Sequence, residues 1–505
     1  MRRINTDNRP SAREVTWRPG LGLCVALSAL GAAACGDDSG TTLDTSESGL
    51  RARFEGRVPM SADQADRFTV AAFADDTRFY AAGFSTQASG DRLDQEMVVA
   101  RFDLDGKLDP SFGEEGIVRL NLSPLSEDAT GDETADAAKG LAVQPDGKVV
   151  FAGVVGSADG RKCAVGRLHE DGTLDDGEGG FSVDDGDGVD GVFVIDLGVA
   201  TEDVDDDVGG VTLDDEGRIL LFARAKASSE ERVDANRFVL RLSARGELDD
   251  GFGEAGMFEG STEGEFNENA KPGRVLEDGS ILSPGYTRID EKNHIVIFKL
   301  DAAGRLARDF ADAGSLVFNP FANEEAPTEA GFVEAYGVTV QADGSLITTG
   351  YGREEAALPQ NRLYSFRFSP DGERDDSFGS EAGFFELAGI EDGVVPGPIQ
   401  GRNLVALPDD RILEVGNATR DAEEAEGDAL VVLLKADGQL DESFHGQGFT
   451  TFDFGMARDA LYGLALSPDG GAVVAAGYAG AANSDEPALL AQQDAALVIF
   501  SLEAP

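Results

Sequence analysis

The stretch RFDLDGKLDPSFGEEGIVRL, residues 101–120, recurs in altered form down the rest of the chain. Its phrase LDPSFGEEG returns as LDDGFGEAG (248–256), LARDFADAG (306–314), RDDSFGSEAG (374–383) and LDESFHGQG (440–448). A second phrase alternates with it, apolar residues around an Asp-Gly-like turn and often a closing Gly. LAVQPDGKVVFAG (141–153), VTVQADGSLITTG (338–350) and LALSPDGGAVVAAG (464–477) are three of seven copies, spaced by about sixty to seventy residues. Asp-Gly between apolar runs is a strong hairpin signal, because the favoured two-residue turn holds both central residues at positive φ. A third apolar strand follows in every copy, as in MVVARFDL (97–104), CAVGRL (163–168) and RFVLRL (237–242). The Phe phrase then leads into a fourth strand such as GIVRLNL (116–122). Four short strands per unit, seven times over, predict an all-β chain folded as a seven-bladed β-propeller.

The two ends of the repeat predict how the ring closes. The last copy stops after its third strand, ALVIFSL (496–502), while GLRARFEGRV (49–58) precedes the first copy as a spare fourth strand. The N-terminal strand is therefore expected to complete the last blade beside Ala496–Leu502, leaving no sheet edge open to other chains.

The pairing of Q-x-D-G-K, strand and Gly with L-D-x-S-F-G-x-x-G resembles the delta-60 repeat family, over nearly all of residues 50–505. The resemblance implies a propeller of a kind common on secreted and surface proteins of bacteria, with no activity attached. Two copies depart from the pattern. Ala307 and Ala311 stand where Asp and Gly are expected, and the SFG of copy two is missing after Leu174-Asp175.

Ahead of the repeats, Arg2, Arg3, Arg9, Arg13 and Arg18 form a basic leader before GLGLCVALSALGAAA (20–34). That apolar run is shorter than the roughly 18–20 residues a bilayer crossing takes. It ends in AAAC, which resembles the lipobox of bacterial lipoproteins, with Ala32 in place of the usual Leu. The resemblance implies a signal peptide over 1–34 and a lipid on Cys35. Gly36 after that Cys implies a place in the bacterial cell envelope, at the outer membrane or cell surface. Residues 35–48, rich in Asp, Ser, Thr and Gly, read as a flexible tether, and 49–505 as the propeller.

The 505 residues carry a formal charge of −53. Such a surface repels nucleic acid and anionic membrane, so the expected membrane contact is the lipid anchor alone and the expected state a monomer. The 64 Gly and 30 Phe suit strands and turns. Cys163 is the one thiol left inside the repeats, which excludes a disulfide framework, and its apolar setting predicts a buried small hydrophobe.

Candidate side chains fall into repeated and unrepeated sets. Arg101, Arg167, Arg241, Lys299 and Arg367 lie four residues before the third-strand turn, and Asp109, Asp175, Asp249, Asp375 and Asp441 lie four after it. An Arg–Asp clamp per blade follows from this spacing, and its reuse in every copy favours scaffolding. Phe112, Phe252, Phe310, Phe378 and Phe444 read as core for the same reason. The main unrepeated feature is DDGEGGFSVDDGDGVDG (175–191), where Asp185, Asp187 and Asp190 have the rhythm of a calcium loop without the Glu that ends an EF-hand. A plain solvated acidic loop competes with that reading, so Ca²⁺ is the one cofactor in question.

Catalysis finds no motif. The three histidines, His169, His294 and His445, fall in three different copies, and neither a nucleophile elbow nor a phosphate loop occurs. The single Trp, Trp17, sits in the leader, so the repeats hold no Trp platform for sugars. The sequence thus points to a binding or interaction module for a protein or small molecule, with recognition expected in 123–139, 172–209 and 319–335. A propeller hydrolase or lyase using carboxylates at the central mouth, and a purely structural surface component, remain the alternatives. No catalytic residue is assigned.

Overall fold

The computed structural model describes residues 48–502 except 62–64, 90–91, 124–134, 158–159, 178, 182–190, 196, 198–203, 230–231, 261–267, 324–328, 357–359, 389–396, 422–425 and 481–492. Seven antiparallel sheets follow one another in chain order, each starting with a strand that borders a common central cavity. Blade 1 is typical: Asp66–Phe73 innermost, then Arg78–Ser89, Arg92–Asp103 and, outermost, Ile117–Leu120. Blade 2 gains a two-residue parallel pairing of Val204–Asp205 with Gly160 and Arg161. In blade 4 the innermost strand is broken into Asn269–Ala270 and Arg274–Val275.

The ring closes as the ends of the repeat predict. Leu50–Val58 pairs antiparallel with Gln493–Leu502, from Leu50 opposite Leu502 to Val58 opposite Ala495, and forms the outer strand of blade 7. The apolar core lies between neighbouring blades. One cluster joins Val415 and Val431 of blade 6 to Leu461, Val473, Val498 and Phe500 of blade 7, with Leu50 from the closing strand. Phe68, Phe79 and Phe102 of blade 1 pack in turn against Val474, Leu497 and Ile499 of blade 7. Cys163 is fully buried among Val165, Ile195 and Leu221, as its apolar flanks predict.

The clamp forms in four blades. Arg101 Nε lies 2.9 Å from Asp109, Arg167 Nη2 2.6 Å from Asp175, Arg241 Nε 2.8 Å from Asp249 and Arg367 Nη2 2.7 Å from Asp375. Each guanidinium also donates to a carbonyl on the next blade's turn, Arg101 to Glu170 at 2.6 Å and Arg367 to Ala436 at 2.8 Å. It stacks besides on its own blade's Phe, at 5.0 Å for Phe112 and 4.7 Å for Phe252. The clamp is therefore a joint between blades. Where Asp gives way to Ala307, Lys299 donates to the carbonyl of Pro370 at 3.3 Å and lies 5.6 Å from the Phe310 ring centre. In blade 6 Leu433 occupies the Arg position, and Arg411 supplies the cation for Asp441 at 3.2 Å.

Copy two corrects one expectation. Its Phe is displaced and not lost, since Phe181 is buried and lies 5.1 Å from Arg167. The Phe rings pack against the turn glycine of the following blade, where no side chain would fit: Phe181 on Gly246, Phe378 on Gly438. The closing strand supplies the same piece for blade 7, with Phe54 against Gly106 of blade 1 and Arg53 3.0 Å from Asp105. The Gly of SFG has φ of 56° in Gly113, and Ala311 and His445 keep that left-handed backbone at 43° and 51°. His445 thus fills a structural position.

Blades 5 and 6 share a buried polar joint. Glu414 is fully buried and accepts from Thr349 Oγ1 at 3.0 Å and Ser365 Oγ at 2.7 Å. Burial pushes its carboxyl up to about 7 from an ordinary 4.5, against the lowering effect of the two hydroxyls. The folded protein thus holds a proton that the unfolded chain has released between those values, and stability falls as pH rises across that window. Unfolding midpoints measured at pH 4.5 to 7.5 should fall less steeply in Glu414→Gln than in the native chain. Parallel curves would place the titration elsewhere.

Candidate functional site in the central channel

Six of the seven innermost strands carry a one-residue bulge at the same step of the ladder. The bulged residues are Thr69, Lys139, Gly209, Tyr336, Arg402 and Tyr462. In blade 4 the break in the strand puts Lys271 at that place. A bulge re-aims a side chain out of the alternation of a strand, and all seven residues line the central cavity, of about 460 Å³. Together they form a collar with one contribution per blade. The bulge also accounts for the Gly that closes the second phrase. A Cβ on Gly153 or Gly350 would stand 2.0 Å or 1.9 Å from a carbonyl oxygen of the innermost strand, Ala137 or Glu334.

The collar reverses the sign of the exterior. Among the described residues the cavity is lined by Arg67, Lys139, Lys271, Arg274 and Arg402, with Asp207 as the one carboxylate. On one side Lys139 and Asp207 form an ion pair. Burial alone would raise the Asp207 carboxyl, but Lys139, Arg224 and Arg161 more than offset it and hold it below the ordinary range.

Elsewhere around the cavity cations stand on tyrosine faces. Arg67 lies 4.2 Å from the Tyr478 ring centre and 5.7 Å from that of Tyr462. Arg402 lies 5.2 Å from Tyr462 and 4.8 Å from Tyr336, and Lys271 Nζ is 4.0 Å from Tyr336 and 5.5 Å from Tyr286. Tyr336 and Tyr351 join their hydroxyls at 3.1 Å. Among the described residues none of Arg67, Lys271 and Arg402 forms an ion pair. The charge of the two arginines is held by ring faces, which leaves it available to an incoming anion.

Asp185, Asp187 and Asp190 fall outside the described residues, as does Cys35. Carboxylates facing one another across the mouth are not found in the described lining, where Asp207 is already paired. Asp428, Asp453 and Asp459 do bring carboxylate oxygens within 4.8 Å of one another between blades 6 and 7. Burial, with its two acidic neighbours, pushes Asp459 up to about 7. Its Oδ2, however, accepts from the backbone of Phe454 at 2.7 Å, as Asp66 accepts from Met60 at 2.6 Å and Asp136 from Leu122 at 2.6 Å. The acid at this place is a blade-to-blade cap.

The chain is a seven-bladed β-propeller with a ring of cations and tyrosines across its centre. A family model described as a domain of unknown function (DUF5122) beta-propeller matches residues 144–177, the second and third strands of blade 2 with the Arg167–Asp175 clamp. No curated protein matches. Among solved structures the chain is similar to a protein of unknown function from Dyadobacter fermentans, 12% identical over 90% of this chain and 100% of that one, with a TM-score of 0.42. It is similar also to polysaccharide lyase Uly1, 12% identical over 89% and 92% with a TM-score of 0.46. A third is the β-propeller domain of the trilobed protease from Pyrococcus furiosus, 11% identical over 83% and 91% with a TM-score of 0.38. Likeness at this level says nothing of ligand or reaction.

Proposed function

We propose that the protein is a binding propeller of the bacterial cell envelope, tethered by a lipid on Cys35, whose central channel takes a small anion. One observation carries the ligand class: Arg67 and Arg402 reach the cavity on tyrosine faces, and among the described residues neither forms an ion pair. A cavity of about 460 Å³ suits a metabolite-sized guest. The net charge of −53 disfavours nucleic acid and other long polyanions. A small anion feels it less, because salt screens surface charge beyond about 8 Å at physiological ionic strength. The anchor rests on the AAAC sequence at 32–35 and the basic leader before it.

Inorganic phosphate is the simplest probe. Added at constant ionic strength, it should raise the melting temperature of the native chain, since a ligand bound only by the folded state stabilises it. The Arg67→Gln, Arg402→Gln double variant should lose that response while its unliganded melting stays close to native. An equal phosphate response in both proteins would remove the channel as the anion site.

A further inference from the structure

We propose that Lys271 is a nucleophilic amine that captures small oxo acids in the channel as imines, an inference that rests on the anion-binding reading above. The collar sets this residue apart by its backbone. It sits in the break of the blade 4 strand, followed by Pro272 and Gly273, and its own N–H donates to the carbonyl of Pro284 at 3.1 Å. A second cation shares its aromatic neighbour in the cavity. Nζ lies 4.0 Å from the centre of the Tyr336 ring, and the Arg402 guanidinium lies 4.8 Å from the centre of the same ring.

The charged and titratable groups facing Lys271 come from several blades: Lys139 and Asp207, Tyr286, Glu334 with Tyr336, and Arg402. Burial pulls the ammonium down to about 7 from an ordinary 10.5. Asp207 and Glu334 oppose this, and Arg402 and Lys139 add to it. Desolvation beside a second cation is a recognised way to give a lysine its lone pair at neutral pH.

The chemistry needs no redox partner. The Nζ lone pair forms a C–N bond to the carbonyl carbon as the C=O π bond breaks, and one proton passes from the nitrogen to that oxygen, giving a carbinolamine. Loss of that oxygen as water leaves the imine, and water reverses the step. Arg402, over the same tyrosine, is placed to hold a carboxylate next to that carbonyl. The ligand class is therefore a short 2-oxo acid.

Pyruvate with sodium cyanoborohydride tests this on the full chain, since the hydride converts a formed imine into a stable secondary amine that peptide mass spectrometry locates. At pH 7 Lys271 should be modified at least tenfold faster than the exposed Lys107 and Lys435, and its rate should rise with pH through about 7. Modification of Lys271 no faster than of Lys107 would overturn the proposal. In Lys271→Arg the fast component should disappear while the unliganded melting temperature stays close to native; a fast component that survives would overturn it too. Acetone, a neutral ketone, separates the two readings. Fast labelling by acetone with no advantage for pyruvate would remove the anion site and keep the nucleophile. Pyruvate that raises the melting temperature without labelling Lys271 would do the reverse.

Discussion

A chain that begins after Val58 should lose the cooperative unfolding transition of the intact protein and become protease-sensitive around the whole ring. The strand it lacks, Leu50–Val58, pairs with Gln493–Leu502 over eight residue pairs. At roughly 0.5–1.5 kcal/mol net per hydrogen bond, the backbone term alone is on the order of several kcal/mol. Three further losses follow. Leu50 leaves the cluster shared by blades 6 and 7, Phe54 leaves Gly106 of blade 1, and the Gln493–Leu502 strand becomes an open edge that invites pairing with another chain. Because every blade is held by its two neighbours, a gap at one joint weakens the ring as a unit. A variant that begins at Ser48 keeps the strand and should melt like the full chain. If both shortened chains melted alike, closure by this strand would not be what holds the ring.

Glu268→Ala is expected to destabilise the ring more than any other single substitution considered, by about 3–5 kcal/mol. Arg237 and Glu268 are both fully buried, with Nη2 3.1 Å from Oε2. The guanidinium also donates to the carbonyls of Ser283 at 3.0 Å and Val296 at 3.3 Å, and lies 5.0 Å from the Phe298 ring centre. Blade 3 is thereby tied to blade 4. Burial already disfavours the Arg237 charge, so removing its carboxylate strands a cation in the apolar interface. The double variant Arg237→Met, Glu268→Leu removes both charges and should recover most of the loss. Urea midpoints read the effect directly. A double variant as unstable as Glu268→Ala would show that shape, and not the stranded charge, accounts for the loss.

The repeat made the ring legible because propeller blades reuse their joints. Asp-Gly turns, the clamp, the Phe plug and the closing strand each recur or complete a recurrence, and a repeated residue is easily seen. The collar is hidden for the opposite reason. Its members are Thr69, Lys139, Gly209, Lys271, Tyr336, Arg402 and Tyr462, which have no side-chain type in common, so matching one copy to another erases them. They also stand two residues ahead of the phrase, as Lys139 does before Leu141 and Tyr462 before Leu464. Alternation along a strand does not place them either, since a bulge adds a residue that the period of two lacks.

One sequence signal did point at the bulge. The Gly closing the second phrase, as in FAG at 153 or TTG at 350, exists because the bulged strand's carbonyl occupies the place of its Cβ. Tyr286, Tyr351 and Tyr478 directly follow that Gly and pack behind the collar. Charge misled in a related way. A total of −53 suggests acidic surfaces throughout, yet a few cations gathered around the ring set the local sign of the channel. These cations come from four of the seven blades, and such a gathering is visible only when the ring is closed.

The most direct measurement is anomalous diffraction from crystals soaked in sodium bromide. The account predicts a bromide peak inside the channel, within contact distance of the Arg402 guanidinium and of Lys271 or Arg67. Bromide found only on the exterior, with a cation or nothing in the channel, would contradict it.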